Sequence, residues 1–198
     1  MSENGLILAS ASPRRRELLA RICPRFSVQP CPHPEPGQPS GKVLPAQWAQ
    51  AMAYFKARRV ADQNPGRWVL GADTIVACDG ELLGKPRDRE DARRMLELQA
   101  RHVSDVITGV CLLRHDVGLC RHQCADLTRV WMRDDPQQRE AYLESGDWEG
   151  KAGAYGIQTV GDKLVERIEG SFSNVVGLPL ELLSRLLTIA RVPVAEVR

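Results

Sequence analysis

The stretch from Trp68 to Ala77, WVLGADTIVA, constrains the fold more than any other part of the chain. Apolar and β-branched residues run through it without the alternation of a half-exposed strand, so it reads as a strand covered on both faces. Such a strand needs layers of helix or loop on either side of its sheet, which points to an α/β architecture. One residue breaks the pattern. Asp73 sits in the middle of the run, where an ionised carboxylate is costly unless it meets a cation, a metal or several hydrogen-bond donors. A structural ion pair with an internal arginine meets that need, and so does a catalytic or metal-binding role.

The rest of the chain supplies the covering layers. Leu6 to Ala9 reads as a short buried strand. A helix from Pro13 to Ile22 follows, with Ser12 as its cap, Pro13 at its first position and Leu18, Leu19 and Ile22 facing inward. The proline-dense segment Pro24 to Pro45 reads as a loop over one face, bordering a cleft. Ala46 to Asp62 reads as a helix whose inner stripe is Trp48, Met52 and Phe55, with Lys56 beside it and Asn64-Pro65-Gly66 ending the element. Further on come a helix over Asp88 to Gln99, adjacent strands over residues 106–113 and Leu119 to Met132, and a helix from Asp135-Pro136 to Gly146. A strand over Leu164 to Ile168 and a final helix from Pro179 to Ala190 complete the pattern. Strands and helices alternate and no repeat occurs, so the economical architecture is one α/β sheet with helices on its faces, a single domain over residues 1–198.

Composition narrows the partners. A net charge of +2 gives no general field to hold a polyanion, so no nucleic-acid partner is expected. No apolar run approaches the roughly 20 residues that would cross a bilayer, and the N-terminus lacks a basic region before its short apolar run. No membrane association is expected, and the expected location is the cytoplasm. The six cysteines form no CxxC pair, and free thiols are expected.

Several segments carry the residue types of phosphate chemistry. SASPRRRELL puts Ser10, Ser12, Arg14 and Arg15 between a strand and the first turn of a helix, where unpaired N–H groups and the helix dipole favour an anion. The same segment is also compatible with a capped helix whose arginines are merely solvated. Lys85 in GKPRD and Lys56 on the second helix are further cations that can converge on phosphates, although each alone reads equally as a solvated lysine. KAGAYGIQ, residues 151–158, surrounds Tyr155 with small residues and ends in Gln158, whose amide can read base edges. GSFSNVVGLP, residues 170–179, adds a polar loop before the last helix.

The order SASPRRRELL, GADTIV with GKP, ITGV, KAGAYGIQ and GSFSNVVGLP resembles the Maf family of nucleotide pyrophosphatases, nearly end to end. The resemblance implies a Maf-like, inosine-triphosphatase-like fold: a twisted mixed sheet with flanking helices and a two-lobed active-site cleft. It implies hydrolysis of a nucleoside triphosphate to the monophosphate and pyrophosphate, with Asp73 as proton acceptor. By the same resemblance Ser10, Arg14, Arg15, Lys56 and Lys85 hold phosphates, Arg14, Thr74 and Gln158 set specificity, and Asp73 and Glu35 hold a divalent metal. The metal is expected to be Mg²⁺, with Mn²⁺ or Co²⁺ as substitutes, because hard cations prefer oxygen ligands. The KAGAYGIQ form resembles the branch acting on dTTP and UTP, with modified pyrimidine nucleotides as further substrates. A house-cleaning role and a homodimer are family expectations. The sequence departs from the family pattern at Gly150, where an acidic residue is usual, and at LQARHVSD, where a Leu-Ser-Gly run and a histidine are usual.

Two readings of another kind compete. A non-catalytic nucleotide-binding regulator of cell division would use the same pocket, although a carboxylate close to the phosphates serves a pure binder little without a metal. A zinc site over Cys120, His122 and Cys124, with Cys111 as fourth ligand, would use one strand face, but its spacing fits no common zinc pattern. Neither GxxxxGK[ST] nor GxGxxG occurs, which argues against P-loop and dinucleotide-binding folds.

Overall fold

The computed structural model describes residues 5–37, 43–157 and 163–192. Its elements run β1 (Leu6–Leu8), α1 (Pro13–Ile22), β2 (Phe26–Val28), α2 (Pro45–Ala61), β3 (Trp68–Cys78), β4 (Glu81–Leu83) and α3 (Arg89–Arg101). Then come β5 (Ser104–His115), β6 (Leu119–Met132), α4 (Pro136–Ser145), a 3-10 turn at Ala152–Ala154, β7 (Val165–Glu169), α5 (Phe172–Val176) and α6 (Leu180–Ile189). The strand order is β2-β1-β3-β5-β6-β7, with β4 on β3. β1 runs parallel to β2 and β3, whereas β4 and β7 are antiparallel to β3 and β6, so the sheet is mixed, as expected.

Three short elements depart from the reading of the sequence. β2 lies inside the proline-dense segment, where Phe26, Ser27 and Val28 pair with Leu6, Ile7 and Leu8. Backbone pairing with a buried neighbour overrides the loop-like composition on either side of these residues. β4 is formed by hairpin pairing with the end of β3, Val76 opposite Leu83. α5 occupies the centre of GSFSNVVGLP, which its polar composition had suggested was loop.

The chain divides into two compact units. The first contains Met1–Asp73, Thr108–Asp126 and Gly177–Arg198. Its core includes Ile7, Ala53, Ala57, Val60, Val69, Cys111 and Leu113. The stripe that α2 buries differs from the expected one. Trp48 and Phe55 are only half-buried, and the covered face is Ala49, Met52, Ala53, Lys56, Ala57, Val60 and Ala61. The reason lies in the strands opposite. A Cβ built on Gly71 would stand 2.1 Å from the Ala53 carbonyl oxygen, and one on Gly109 would stand 2.3 Å from that of Ala49. Glycines on the sheet and alanines on the helix let the two backbones approach to a distance that large side chains would prevent.

The second unit contains Thr74–Ile107 and Leu127–Val176. Val76, Leu83, Met95, Leu96, Val130, Leu143, Tyr155 and Ile157 belong to its core. α3 starts at Asp88, whose carboxylate accepts from the Asp91 N–H, and α4 starts at Asp135, which accepts from the Gln137 and Gln138 N–H groups. α4 ends at Gly146 in the left-handed conformation that closes many helices.

Candidate active site

Close packing of α2 decides where Asp73 finds its cation. Asp73 is two residues beyond Gly71 on β3, so its side chain points to the face on which Gly71 meets α2. Lys56 lies between Ala53 and Ala57 on the buried face of that helix. Its Nζ donates to Asp73 Oδ1 at 2.6 Å and lies 2.9 Å from Glu35 Oε1. Lys56 and Asp73 are both buried, while the Glu35 side chain is 49% exposed. The buried carboxylate in the apolar strand is therefore paired with a lysine of the same unit, which draws a second carboxylate from the proline-dense segment to the same spot.

The loop after β1 adds a second cation. Ser12 caps α1 by accepting from the Arg15 N–H. The Arg15 side chain turns back: its Nε donates to the Gly177 carbonyl at 2.9 Å and its Nη1 donates to Ser10 Oγ at 3.4 Å. Burial lowers the pKa of Arg15 from the ordinary arginine value, and the Asp73 and Glu35 carboxylates oppose that shift. A guanidinium stays cationic under such conditions. Ser10, itself buried, also accepts from the Ser12 N–H at 3.2 Å. A hydroxyl has two lone pairs and one proton. With both lone pairs approached by N–H groups, Ser10 has a proton to donate, which suits an anionic oxygen.

Of the residues singled out in the sequence, Glu35, Lys56 and Asp73 are joined by ion pairs, Arg15 is bonded to Ser10, and the two groups, both in the first unit, are linked by the electrostatic pull of Asp73 and Glu35 on Arg15. Arg14 is half-buried in the first turn of α1. Thr74 and Lys85 belong to the second unit, Thr74 half-buried on β3 and Lys85 exposed in the loop after β4. Gln158 lies outside the described residues.

The second unit ties two of the motifs together. The Gly153 N–H donates to the Gly84 carbonyl at 3.0 Å, which joins KAGAYGI to the residue before Lys85. Gln99, wholly buried, donates its Nε2 to the carbonyls of Met95 and Gly153 at 3.0 and 2.7 Å, and its Oε1 accepts from Ser104 Oγ at 3.4 Å. Both Gln99 and Ser104 come from LQARHVSD, the segment that departs from the family pattern. The roles of Gln99 and Gly177 were not visible in the sequence, because each depends on a hydrogen bond to a residue distant in the chain.

Among the described residues no group of three or more His, Cys, Asp and Glu gathers to hold a metal. The zinc alternative is thereby corrected. Cys120 Sγ contacts His122 Nε2 at 3.7 Å, but the imidazole lies beside the Trp68 ring and Cys111 is wholly buried in the core. Asp73 and Glu35, held by one ammonium, are oxygen donors suited to a hard cation that takes its remaining ligands from water and phosphate.

Comparison with known proteins agrees with the motifs. The family model described as Maf-like protein matches residues 5–190. A dTTP/UTP pyrophosphatase of Ruminiclostridium cellulolyticum is 43% identical over 185 residues, covering 92% of this chain and 94% of its own. A dTTP/UTP pyrophosphatase of Myxococcus xanthus is 46% identical over 190 residues, covering 95% of this chain and 93% of its own. Among solved structures, the nucleoside-triphosphatase / dITP/XTP pyrophosphatase of Mycobacterium abscessus aligns with 13% identity and a TM-score of 0.45, covering 96% of this chain and 97% of that one. The match along nearly the whole length, together with the motifs in their order, assigns this chain to the Maf family.

Proposed function

We propose that this chain is a nucleoside triphosphate pyrophosphatase that hydrolyses dTTP and UTP to the monophosphate and pyrophosphate. The activity is the one named for its relatives in Ruminiclostridium and Myxococcus, at identities of 43% and 46%. Modified pyrimidine nucleotides belong to the same substrate class. The observation that carries the chemistry is Asp73 on the buried face of an apolar strand, 2.6 Å from Lys56 Nζ.

In this reading Arg15, with Arg14, Lys56 and Lys85, neutralises the triphosphate, and Ser10 donates its proton to a phosphate oxygen. Asp73 orients a water molecule and takes its proton as the oxygen attacks the α phosphorus. The bond from the α phosphorus to the bridging oxygen breaks, and pyrophosphate leaves with that oxygen. A divalent cation, Mg²⁺ or in its place Mn²⁺ or Co²⁺, would be held by Asp73 and Glu35 and would offset charge on the leaving pyrophosphate. Thr74, Arg14 and Gln158 are proposed to select the pyrimidine. The expected setting is the cytoplasm, a reading supported by free thiols at all six cysteines. A homodimer is proposed on the family resemblance. No helix among the described residues is long and apolar enough to cross a membrane.

The test is pyrophosphate release from canonical and modified nucleoside triphosphates with Mg²⁺, comparing wild type with Asp73→Asn. Release from dTTP or UTP by wild type, abolished in the variant while nucleotide binding persists, supports the reading. Binding without release from any nucleotide would overturn it in favour of the regulatory alternative.

A further inference from the structure

The GSFSNVVGLP motif has no part in the reaction as described, yet one of its atoms touches the site. α5 ends at Val176, and the next residue, Gly177, has φ = 120°, a conformation that L side chains rarely adopt. Leu178, wholly buried, and Pro179, which precedes α6, pin the chain immediately beyond it. The Gly177 carbonyl is thereby turned toward Arg15 and accepts from its Nε at 2.9 Å.

A guanidinium is a rigid planar fork, so one bond at Nε together with the bond from Nη1 to Ser10 fixes its plane. An arginine tied at Nε can meet a phosphate through its terminal Nη1–Nη2 edge, and its side edge is committed to the protein. Without the tie, the long side chain would have to be ordered by the substrate itself, at a cost in affinity.

We infer that Gly177 is a positioning residue for Arg15: its carbonyl, turned by a backbone conformation that favours glycine, sets the plane of the guanidinium that receives the triphosphate. The inference rests on the proposed function for the identity of the ligand. It predicts that replacing Gly177 acts through Arg15 and through nothing else at the site.

The experiment is a double-mutant cycle on the full chain with Gly177→Ala and Arg15→Lys. It measures KM and kcat for dTTP, the dissociation constant of inorganic triphosphate, and the melting temperature. The lysine keeps the charge and has no Nε–H to be anchored. Gly177→Ala is expected to raise KM and the dissociation constant about tenfold in the wild-type background, the scale of one hydrogen bond to a charged group, and less than about twofold in the Arg15→Lys background. Equal penalties in both backgrounds would show that Gly177 acts independently of Arg15 and would overturn the inference. Should Gly177→Ala fail to fold, the wild-type protein still decides. The Arg15 Nε–H resonance, assigned by its loss in Arg15→Lys, should be protected from solvent exchange without nucleotide, and rapid exchange overturns the inference. If wild type neither binds triphosphate nor releases pyrophosphate, the proposed function fails instead, while a protected Nε–H would still uphold the contact.

Discussion

Gly71 on β3 lies so close to Ala53 on α2 that a Cβ on the glycine would stand 2.1 Å from the alanine carbonyl oxygen and 2.9 Å from Ala57 Cβ. The first of these neighbours is backbone, which cannot rotate away. Gly71→Ala should therefore push α2 off the sheet, destabilise the protein by about 3 kcal/mol and remove Lys56 from Asp73. Urea denaturation and pyrophosphate release should fall together. A variant as stable and active as wild type would contradict the packing argument.

Lys56 and Asp73 form a buried pair, so removing one partner leaves the other uncompensated. Lys56→Met is expected to cost about 3 kcal/mol, and Asp73→Asn added to it should recover much of that loss. Glu35, about half exposed, should contribute little, and Glu35→Gln is expected to cost less than about 1 kcal/mol. Urea midpoints of wild type, the single variants Lys56→Met, Asp73→Asn and Glu35→Gln, and the double variant test the ranking. An additive double variant would exclude coupling within the pair.

Gln99→Leu keeps most of the side-chain volume but leaves the Gly153 carbonyl without its 2.7 Å donor. The expected cost is about 2 kcal/mol, the penalty for an unsatisfied buried acceptor. Hydrogen exchange should accelerate at Gly153, whose N–H is bonded to Gly84. Unchanged protection there would mean that the loop holds itself.

Burial pushes the Cys111 thiol up to about 12, and burial also raises the thiols of Cys23 and Cys78. Above the ordinary thiol value of 9.0 the unfolded chain loses a proton at Cys111 that the folded chain keeps. The stability contributed by the protonated thiol is therefore complete below pH 9 and declines as pH rises toward 12, by up to about 1.4 kcal/mol per pH unit. Denaturation at a series of alkaline pH values should show a shallower decline in Cys111→Ala. At pH 8, alkylation should label the half-buried Cys31, Cys120 and Cys124 before Cys111.

The long elements were legible because their signals are local. The cap at Ser12, the apolar run of β3, and Asp135-Pro136 before α4 each state a boundary within a few residues. β2 and β4 were not legible, since three-residue strands exist by virtue of their partners and carry no periodicity of their own. In the sequence pattern of α2 the large apolar residues Trp48 and Phe55 outweigh the alanines that form the buried face. The signal that marks this face is alanine at every fourth position, Ala49, Ala53 and Ala57, facing glycine-bearing strands. In the site, the residue types at Asp73, Lys56 and Arg15 announced phosphate chemistry. That Lys56 gathers Glu35 and Asp73 depends on how far the helix sinks toward the sheet, which no local motif encodes.

The order of the two small residues at Gly153 and Ala154 has a consequence of its own. Both have positive φ, 70° and 61°, yet they face opposite demands. A methyl group on residue 153 would collide with Val76 Cγ2 at 2.9 Å, whereas the methyl group of Ala154 belongs to the core of its unit. Exchanging the two would create a clash at one position and a hole at the next, although composition, length and hydropathy would not change. The segment leading to Gln158 therefore reads in one direction only. A library that shuffles its small residues should recover active clones almost exclusively with glycine first and alanine second.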